Sequence, residues 1–253
     1  DEEARRERSL DTYWKAMALA KAGRNTVADV VVQPRSAEEV ATTLAIAAEE
    51  GVPVVPRAGG SGSQGGAIPE PGGILLDLSA LDQIEDLDEQ ALTVRAGAGV
   101  PGLRLEEWLN ERGYMFPHYP ASLHLAQVGG YLAAKGSGVL STKYGKIEDL
   151  VASMRVALPS GELIETVPIP RHAVGPDLNQ LFIGSEGTLG VITDATLILR
   201  PQPEHRAFRA VGFDDLATGV EAIRKALQAG WRPAAARLHD PEATRMNLAR
   251  ILD

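Results

Sequence analysis

Short apolar runs alternate with amphipathic stretches in the early part of the chain. Residues 28–34 form a β-branched run that ends at a proline, which predicts a strand. Residues 36–51 carry apolar side chains at helical spacing between Ser36, a favoured N-cap residue, and Gly51, a common helix stop, so a helix is predicted. A second strand over 53–57 would complete a β-α-β unit that leads into a glycine-rich segment.

The same periodicities predict the rest of the secondary structure. In chain order, the predicted elements are strands at 74–78 and 92–100, a helix at 101–113, a short helical stretch at 128–136, a hairpin over 150–166 that turns at 159–161, strands at 191–201 and 208–213, a helix at 214–230, a strand at 234–240 and a helix from 241 to 253. The last of these elements begin a β-α-β module that is not closed. We therefore expect a second domain that is truncated in this chain.

Composition narrows the class of protein. The 253 residues are 44% hydrophobic and 23% charged, which supports a folded core and excludes disorder. No run of about 18 apolar residues occurs, and the charged N-terminus lacks an apolar stretch, so neither a transmembrane segment nor a signal peptide is predicted. The net charge of −9 without a basic cluster argues against a nucleic-acid partner. The absence of cysteine excludes disulfides, thiolate metal ligands and a cysteinyl cofactor link.

The pattern G-x-G-x-x-G occurs twice, beginning at Gly60 and at Gly97. In a dinucleotide-binding βαβ unit this pattern opens a helix and is followed, about 20 residues on, by an acidic residue. Prolines at 69 and 71 prevent a helix after the first copy, and 114–122 carries no acid after the second. A nicotinamide-binding Rossmann domain is therefore the less favoured interpretation.

The first glycine segment has a different use. Consecutive small residues from Ala58 to Ser63 let the main chain approach a ligand closely, and successive N–H groups can form one anion-binding concavity. A diphosphate suits such a concavity in an acidic protein, because the donors are uncharged. The alternative is a flexible surface loop.

Three segments in this order resemble the FAD-binding domain of the p-cresol methylhydroxylase (PCMH) and vanillyl-alcohol oxidase superfamily. They are VPVVPRAGGSGSQGG, PASLHLAQVGGYLAAKGSGVLSTKYGKIEDLV and GPDLNQLFIGSEGTLGVITDATLILRPQPE. The resemblance implies an α+β fold: a PCMH-type FAD-binding domain of two α/β subdomains over 25–205. It also implies an N-terminal helical segment over 1–24 and, over 206–253, the start of a truncated α+β substrate domain. In this family the tyrosine and histidines of the catalytic centre lie beyond that start.

The resemblance also implies which residues contact FAD. The diphosphate would be wrapped by the loop residues Pro56, Arg57, Ala58, Gly59, Gly60, Ser61, Gly62 and Ser63, and the ribityl and isoalloxazine portion would lie along Pro120, Ala121 and Ser122. The adenine-diphosphate side would be lined by Val128, Gly129, Gly130, Ala134 and Ser137, with close approach at the two glycines. The residues that close over the cofactor would be Glu186, Gly187, Gly190, Val191 and Ile192. Covalent members carry a histidine where this chain has Ser61, so a non-covalent FAD is expected. Arg237 matches an arginine on the substrate side of the flavin and is the candidate catalytic residue.

The resemblance leaves two activities open. YGKIEDLV, RPQPEH and PAAARLHD are most similar to the alkyl-dihydroxyacetone-phosphate synthase branch and its FAD-linked oxidase relatives. We expect an FAD-dependent oxidoreductase that passes hydride from a hydroxy-acid-like substrate to flavin N5. The alternatives are a synthase-type transferase acting on an acyl or alkyl glycerone phosphate, and a cofactor-binding remnant without activity. We expect a small-molecule substrate and a cytoplasmic location, with homodimerisation and a peripheral membrane association left open.

Other chemistry-bearing residues form no recognisable pattern. His118, His124 and His172 lack metal-ligand spacing, so no metal site is expected and a structural or exposed role is favoured. His118 and His124 are the better functional candidates because they flank the second flavin segment.

Overall fold

The structure is a computed structural model that describes residues 2–69 and 71–252. Asp1, Glu70 and Asp253 belong to segments discussed above and lie outside the described residues. The helices are α1 (Glu2–Arg8), α2 (Trp14–Lys21), α3 (Ala37–Glu49), α4 (Gly102–Asn110), α5 (Val128–Ala133), α6 (Ser141–Tyr144), α7 (Leu178–Phe182), α8 (Leu216–Gln228) and α9 (Pro241–Leu252). The strands are β1 (Val30–Val32), β2 (Val54–Arg57), β3 (Ile74–Asp77), β4 (Ile84–Asp88), β5 (Thr93–Gly97), β6 (Tyr114–Met115), β7 (Val151–Ala157), β8 (Leu163–Glu165), β9 (Val191–Ile198) and β10 (Arg200–Pro201). The predicted mixture of helices and sheets is confirmed.

The predicted β-α-β unit forms a parallel sheet of order β1-β3-β2. Helix α3 begins where the Ser36 hydroxyl accepts the N–H of Glu39 at 3.2 Å, which satisfies one of the free donors of the first turn. Val40 and Leu44 are buried on its inner face. Strand β2 ends at Arg57, and the glycine-rich loop begins directly after it.

A larger antiparallel sheet of order β4-β5-β9-β7-β8 carries the main core. Strands β7 and β9 lie inside this sheet and are buried along most of their length, including their polar residues Ser153, Thr193 and Asp194. The hairpin predicted over 150–166 is confirmed, with Val156 of β7 opposite Ile164 of β8. The core that joins this sheet to α4 and α5 includes Leu105, Leu109 and Leu132.

The two sheets meet at α3, which also packs against β7 and β9 of the larger sheet. A smaller cluster buries α3 against Leu76 and Leu78 and continues to Ala98, Ala157 and Val191 of the larger sheet region. The loop after β2 lies beside the N-terminus of α5, since a β-carbon on Gly130 would lie 3.7 Å from the Cβ of Ala58.

Two predicted strands are wrong. Residues 208–213 and 234–240 do not form strands, and neither segment pairs with a described strand. Their apolar side chains are largely in solvent, with Phe208 85% exposed. A strand requires hydrogen-bonded neighbours, and local alternation of apolar residues does not supply them. The helices predicted beside these segments do form, as α8 and α9.

Strands β4 and β6 and helices α6 and α7 were not predicted. Strand β4 has the sequence IEDLD, whose three acidic side chains hide the period-two pattern of an edge strand. Helix α7 has only five residues, too few for a helical period to show. Within the described part of the chain, no helix combines the length and the apolar character needed to cross a bilayer.

Candidate cofactor-binding site

A cleft of about 430 Å³ lies between the loop after β2, helix α5 and the turn before β9. This volume is in the range of small-molecule and cofactor sites. The residues predicted to contact FAD line this cleft, except Arg57, Ala121 and Val128. The structure thus brings together three segments that are far apart in sequence.

The loop side of the cleft offers unused backbone donors. Among the described residues, no protein acceptor takes the N–H groups of Gly59, Gly60, Ser61, Gly62 or Ser63. Gly60 adopts a φ of 64°, a backbone conformation that residues other than glycine rarely adopt. Successive N–H groups that no described acceptor takes are able to form a concavity that binds a phosphate oxygen.

Arg57 supports this loop from behind rather than lining the cleft. Its guanidinium group donates to the carbonyl oxygens of Ala58 and Leu10 at 3.2 and 3.3 Å. A β-carbon placed on Gly60 would lie 2.4 Å from this guanidinium, so the loop rests directly on the arginine side chain. Burial lowers the pKa of Arg57, against the opposing influence of Asp77. Of the other two exceptions, Ala121 is exposed and Val128 belongs to the apolar core.

The two glycines of α5 have different roles. A β-carbon on Gly129 would lie 2.7 Å from the Cβ of Ala98, so Gly129 permits close packing of the helix within the protein itself. A β-carbon on Gly130 would meet only Ala58, at an ordinary distance of 3.7 Å, and Gly130 borders the cleft. Both glycines line the cleft, and Gly129 has the additional role of allowing the close packing against Ala98.

The turn before β9 closes the other side of the cleft. Glu186 has a φ of 50°, a left-handed conformation that is costly for a residue with a side chain and is found more often at functional sites. Its carboxylate reaches to Gly66, where an added β-carbon would lie 2.9 Å from Oε2. The next residue, Gly187, packs against the ring of Pro56. The turn is thereby fixed against both ends of the glycine-rich loop.

Gln127 was missed by sequence reasoning, and His118 was assigned a structural or exposed role. Both line the cleft. Each has a buried side-chain atom, Oε1 of Gln127 and Nδ1 of His118, without a hydrogen-bond partner among the described residues. Buried polar atoms are normally paired, so these two indicate a polar ligand. The only available signal was the position of Gln127 immediately before the V-G-G of the second segment.

Tyr131 lines the cleft beside His118, with the centres of the two rings 4.6 Å apart in an edge-on arrangement. Burial, followed by the charge of Glu106, raises the pKa of Tyr131, which keeps its hydroxyl protonated. That hydroxyl lies against Gly102 of α4. Like the atoms of Gln127 and His118, this hydroxyl is buried and has no hydrogen-bond partner among the described residues.

The burial of His118 has a consequence for stability in acid. Burial lowers its pKa to about 4, with Glu148 opposing the shift. The unfolded chain takes up a proton near pH 6.5, so folding stability should fall as pH drops from about 6.5 to 4, by about 3 kcal/mol in total. A His118→Leu variant of the FAD-free protein should lose this part of the pH dependence in urea denaturation. His124→Leu, which removes an exposed histidine, is the control, and an unchanged slope in His118→Leu would contradict the assignment.

Other predicted candidates lie elsewhere. Arg237 is exposed in an irregular segment and is not among the residues that line the cleft. His124 is exposed, and His172 lies in the loop that precedes α7. The structure therefore groups the predicted cofactor residues but does not bring Arg237 to them.

The loop donors, the unpaired atoms of Gln127 and His118, and the cleft volume all fit a large polar cofactor with a diphosphate. Comparison with known proteins identifies its class. The sequence model described as FAD binding domain matches residues 28–167, and the chain belongs to that family. A second model, described as FAD linked oxidases, C-terminal domain, matches residues 202–252. FAD is therefore the cofactor of this flavoprotein, and the predicted family is confirmed.

Individual relatives agree with this membership. The Uncharacterized FAD-linked oxidoreductase YgcU of Escherichia coli K12 is 34% identical over 256 residues, which cover 100% of this chain and 53% of the relative. The mitochondrial D-lactate dehydrogenase (cytochrome) of Arabidopsis thaliana is 36% identical over 215 residues, covering 85% of this chain and 38% of the relative. The chain thus spans about half the length, or less, of these curated relatives.

A solved structure of alkyldihydroxyacetonephosphate synthase superimposes with a TM-score of 0.88 and 29% sequence identity, covering 98% of this chain and 46% of that chain. The predicted PCMH-type fold is confirmed by this match.

Proposed function

We propose that this chain holds a dissociable FAD in an oxidoreductase that oxidises a hydroxy-acid-like substrate. The observation that carries the proposal is the row of five N–H groups, from Gly59 to Ser63, that no acceptor in the described part of the chain takes. They belong to residues that line a cleft together with most of the other predicted FAD residues. When bound, FAD supplies an acceptor for a hydride from the substrate. Ser61 offers no ring nitrogen for a covalent link to the flavin, and the chain has no cysteine.

The residues of the chain have separate tasks in this proposal. The loop donors bind the diphosphate without adding charge, and Gly130 allows the cofactor to lie against α5. Gln127 and His118 supply buried polar atoms to the remainder of the cofactor. The turn at Glu186 and Gly187 limits access of water to the cleft. Arg237 is proposed to hold the carboxylate or phosphate of the substrate once its segment packs near the flavin.

A transferase of the synthase type is the second candidate. The structural superposition with alkyldihydroxyacetonephosphate synthase favours it, while the similarity to D-lactate dehydrogenase favours the redox reaction. The two differ in whether the substrate loses electrons, so they are experimentally separable.

Cofactor binding is tested first, on the purified chain. After incubation with FAD and desalting, we expect stoichiometric flavin with its two absorption bands in the visible and near ultraviolet. Acid precipitation should release all of it into the supernatant, because the link is non-covalent. A chain that retains no flavin would contradict the proposed site, and flavin that remains in the pellet would contradict the non-covalent assignment.

The reaction is tested by anaerobic addition of substrates to the flavin-loaded, full-length protein. A 2-hydroxy acid such as D-lactate should bleach the flavin absorbance, because a redox reaction transfers electrons to it. Exchange of an acyl group for a fatty alcohol on acyl-dihydroxyacetone phosphate, without net bleaching, would support the transferase instead. Flavin that is bound but inert to both substrate classes would indicate a cofactor-binding remnant.

The organisation of the chain is also part of the proposal. We divide it into an N-terminal helical segment (1–24), an FAD-binding domain (25–205) and the beginning of a substrate domain (206–253). A cytoplasmic location is proposed from the cysteine-free sequence. A measurement of the molecular mass in solution tests for a homodimer.

A further inference from the structure

The N-terminal residues 8–13, here called the N-terminal clasp, lie against the outer side of the glycine-rich loop. The clasp precedes the residues that the FAD binding domain model matches. Thr12 makes the main contact, since its N–H donates to the Gly62 carbonyl oxygen at 3.0 Å. Its hydroxyl group lies 2.8 Å from the same oxygen and 3.0 Å from that of Ser61. Two successive carbonyl groups of the loop are therefore bound from outside.

These contacts determine which way the loop donors face. Every described peptide bond is trans, so the carbonyl of one residue and the N–H of the next point in opposite directions. With the Ser61 and Gly62 carbonyls directed at Thr12, the N–H groups of Gly62 and Ser63 point away from the clasp. Both residues line the cleft. Thr12 thus holds the peptide units in the orientation that an anion-binding concavity requires.

The clasp is itself held in place by charge. Arg8 pairs with Asp77 at the end of β3, with its Nε 2.5 Å from the carboxylate oxygen. Asp77 is only 2% exposed. Burial of Asp77 opposes its ionisation, but hydrogen bonds from Arg8 and Ser79 outweigh burial and lower the pKa of this carboxyl group.

Two further contacts join the clasp to the loop. The Leu10 carbonyl accepts from Arg57, the residue on which Gly60 rests. The Tyr13 ring packs against Gly65, where an added β-carbon would lie 3.3 Å from the ring. The clasp therefore contacts the loop near its beginning, at its middle and near its far side.

We propose that the N-terminal clasp is part of the FAD site and that Thr12 is a positioning residue for the diphosphate-binding loop. This inference rests on the proposed location of FAD in the cleft. Because Thr12 acts on the orientation of backbone donors, it affects the diphosphate of the cofactor and not its ring system. Conversely, bound FAD should hold the clasp in place, because coupling between two sites is reciprocal.

The test compares the dissociation constants of FAD for three variants of the full chain. Thr12→Val removes the hydroxyl and should weaken FAD binding about fivefold, as expected for one hydrogen bond. Thr12→Ser keeps the hydroxyl and should bind as the wild type does. Thr42→Val is the matched control, because the Thr42 hydroxyl donates to a backbone carbonyl, of Glu38, within α3 and away from the loop. Melting temperatures of the FAD-free proteins show whether each variant folds.

A second readout separates positioning from a general loss of structure. ADP, measured by competition, should lose affinity for Thr12→Val by the same factor as FAD, whereas riboflavin, which has no diphosphate, should not. In the wild type, FAD should slow tryptic cleavage after Lys15 by about fivefold or more. Cleavage after Arg209, in an exposed segment far along the chain, provides the internal control.

The outcomes distinguish this inference from the proposed function. If the wild type binds FAD and Thr12→Val binds it equally well, the clasp is not part of the site. Equal losses for riboflavin and ADP, or no rescue by Thr12→Ser, would also overturn the positioning role. If the wild type fails to bind FAD at all, the proposed function fails and the inference fails with it.

Discussion

A Gly59→Ala variant is expected to bind FAD at least about a hundredfold more weakly than the wild type. An added β-carbon at this position would lie 1.9 Å from the carbonyl oxygen of Leu125, a backbone atom that cannot rotate away. The glycine-rich loop must then move, and the N–H groups from Gly59 to Ser63 move with it. Hydrogen bonds to a charged group contribute about 1.5–3 kcal/mol each, so the loss of one or two of them accounts for the expected effect. Flavin fluorescence titration measures the dissociation constant.

Gly212→Ala is the matched control for this substitution. It makes the same chemical change at an exposed glycine where an added β-carbon would meet no atom of the described residues within 4 Å. We expect its FAD affinity and its melting temperature to equal those of the wild type. An affinity of Gly59→Ala within about twofold of the wild type would show that the loop does not bind the diphosphate.

The sequence was most informative where independent local signals coincide. The unit β1-α3-β2 combined a β-branched run, a helix cap at Ser36, a stop at Gly51 and a second apolar run, and each signal is physically local. Strand β4 could not be read in this way, because its residues are mostly acidic and it pairs with β5 along one side only. The two wrong strands had the right local pattern but no neighbouring strand. Pairing is a tertiary property that local alternation cannot reveal.

The candidate site, like the fold, could be predicted from the sequence only in part. Its small residues could be predicted, because the motifs consist of glycine, alanine and serine in a recognisable order. The unpaired atoms of Gln127 and His118 could not, because burial and missing partners are properties of the folded chain that a single sequence does not show. The contribution of the clasp was also hidden, since Thr12 is separated from Gly62 by fifty residues of sequence. Residues that contribute through position rather than type leave little trace in a single sequence.

A Gly130→Leu variant should fold normally and yet bind FAD at least about a hundredfold more weakly. Gly130 lies in α5 and borders the cleft, and its nearest obstacle to a side chain is the Cβ of Ala58 at 3.7 Å. A leucine side chain would therefore extend along the cleft without disturbing the core. Leucine is also the better helix former by about 0.8 kcal/mol, so the FAD-free protein should be at least as stable as the wild type. Urea denaturation and flavin titration of the same preparation measure both properties.

The neighbouring glycine supplies the contrast that makes this result interpretable. Gly129→Ala adds a β-carbon 2.7 Å from that of Ala98 in the packed interior, and overpacking of this kind costs about 1–3 kcal/mol. Gly129→Ala should therefore lower stability, and its FAD affinity should change only as far as the helix shifts, whereas Gly130→Leu should lower affinity alone. The two adjacent substitutions would then show separately how α5 packs in the fold, through stability, and where FAD binds, through affinity. Normal FAD binding by a folded Gly130→Leu protein would place the cofactor outside this cleft, because the leucine and the flavin dinucleotide cannot share the same volume.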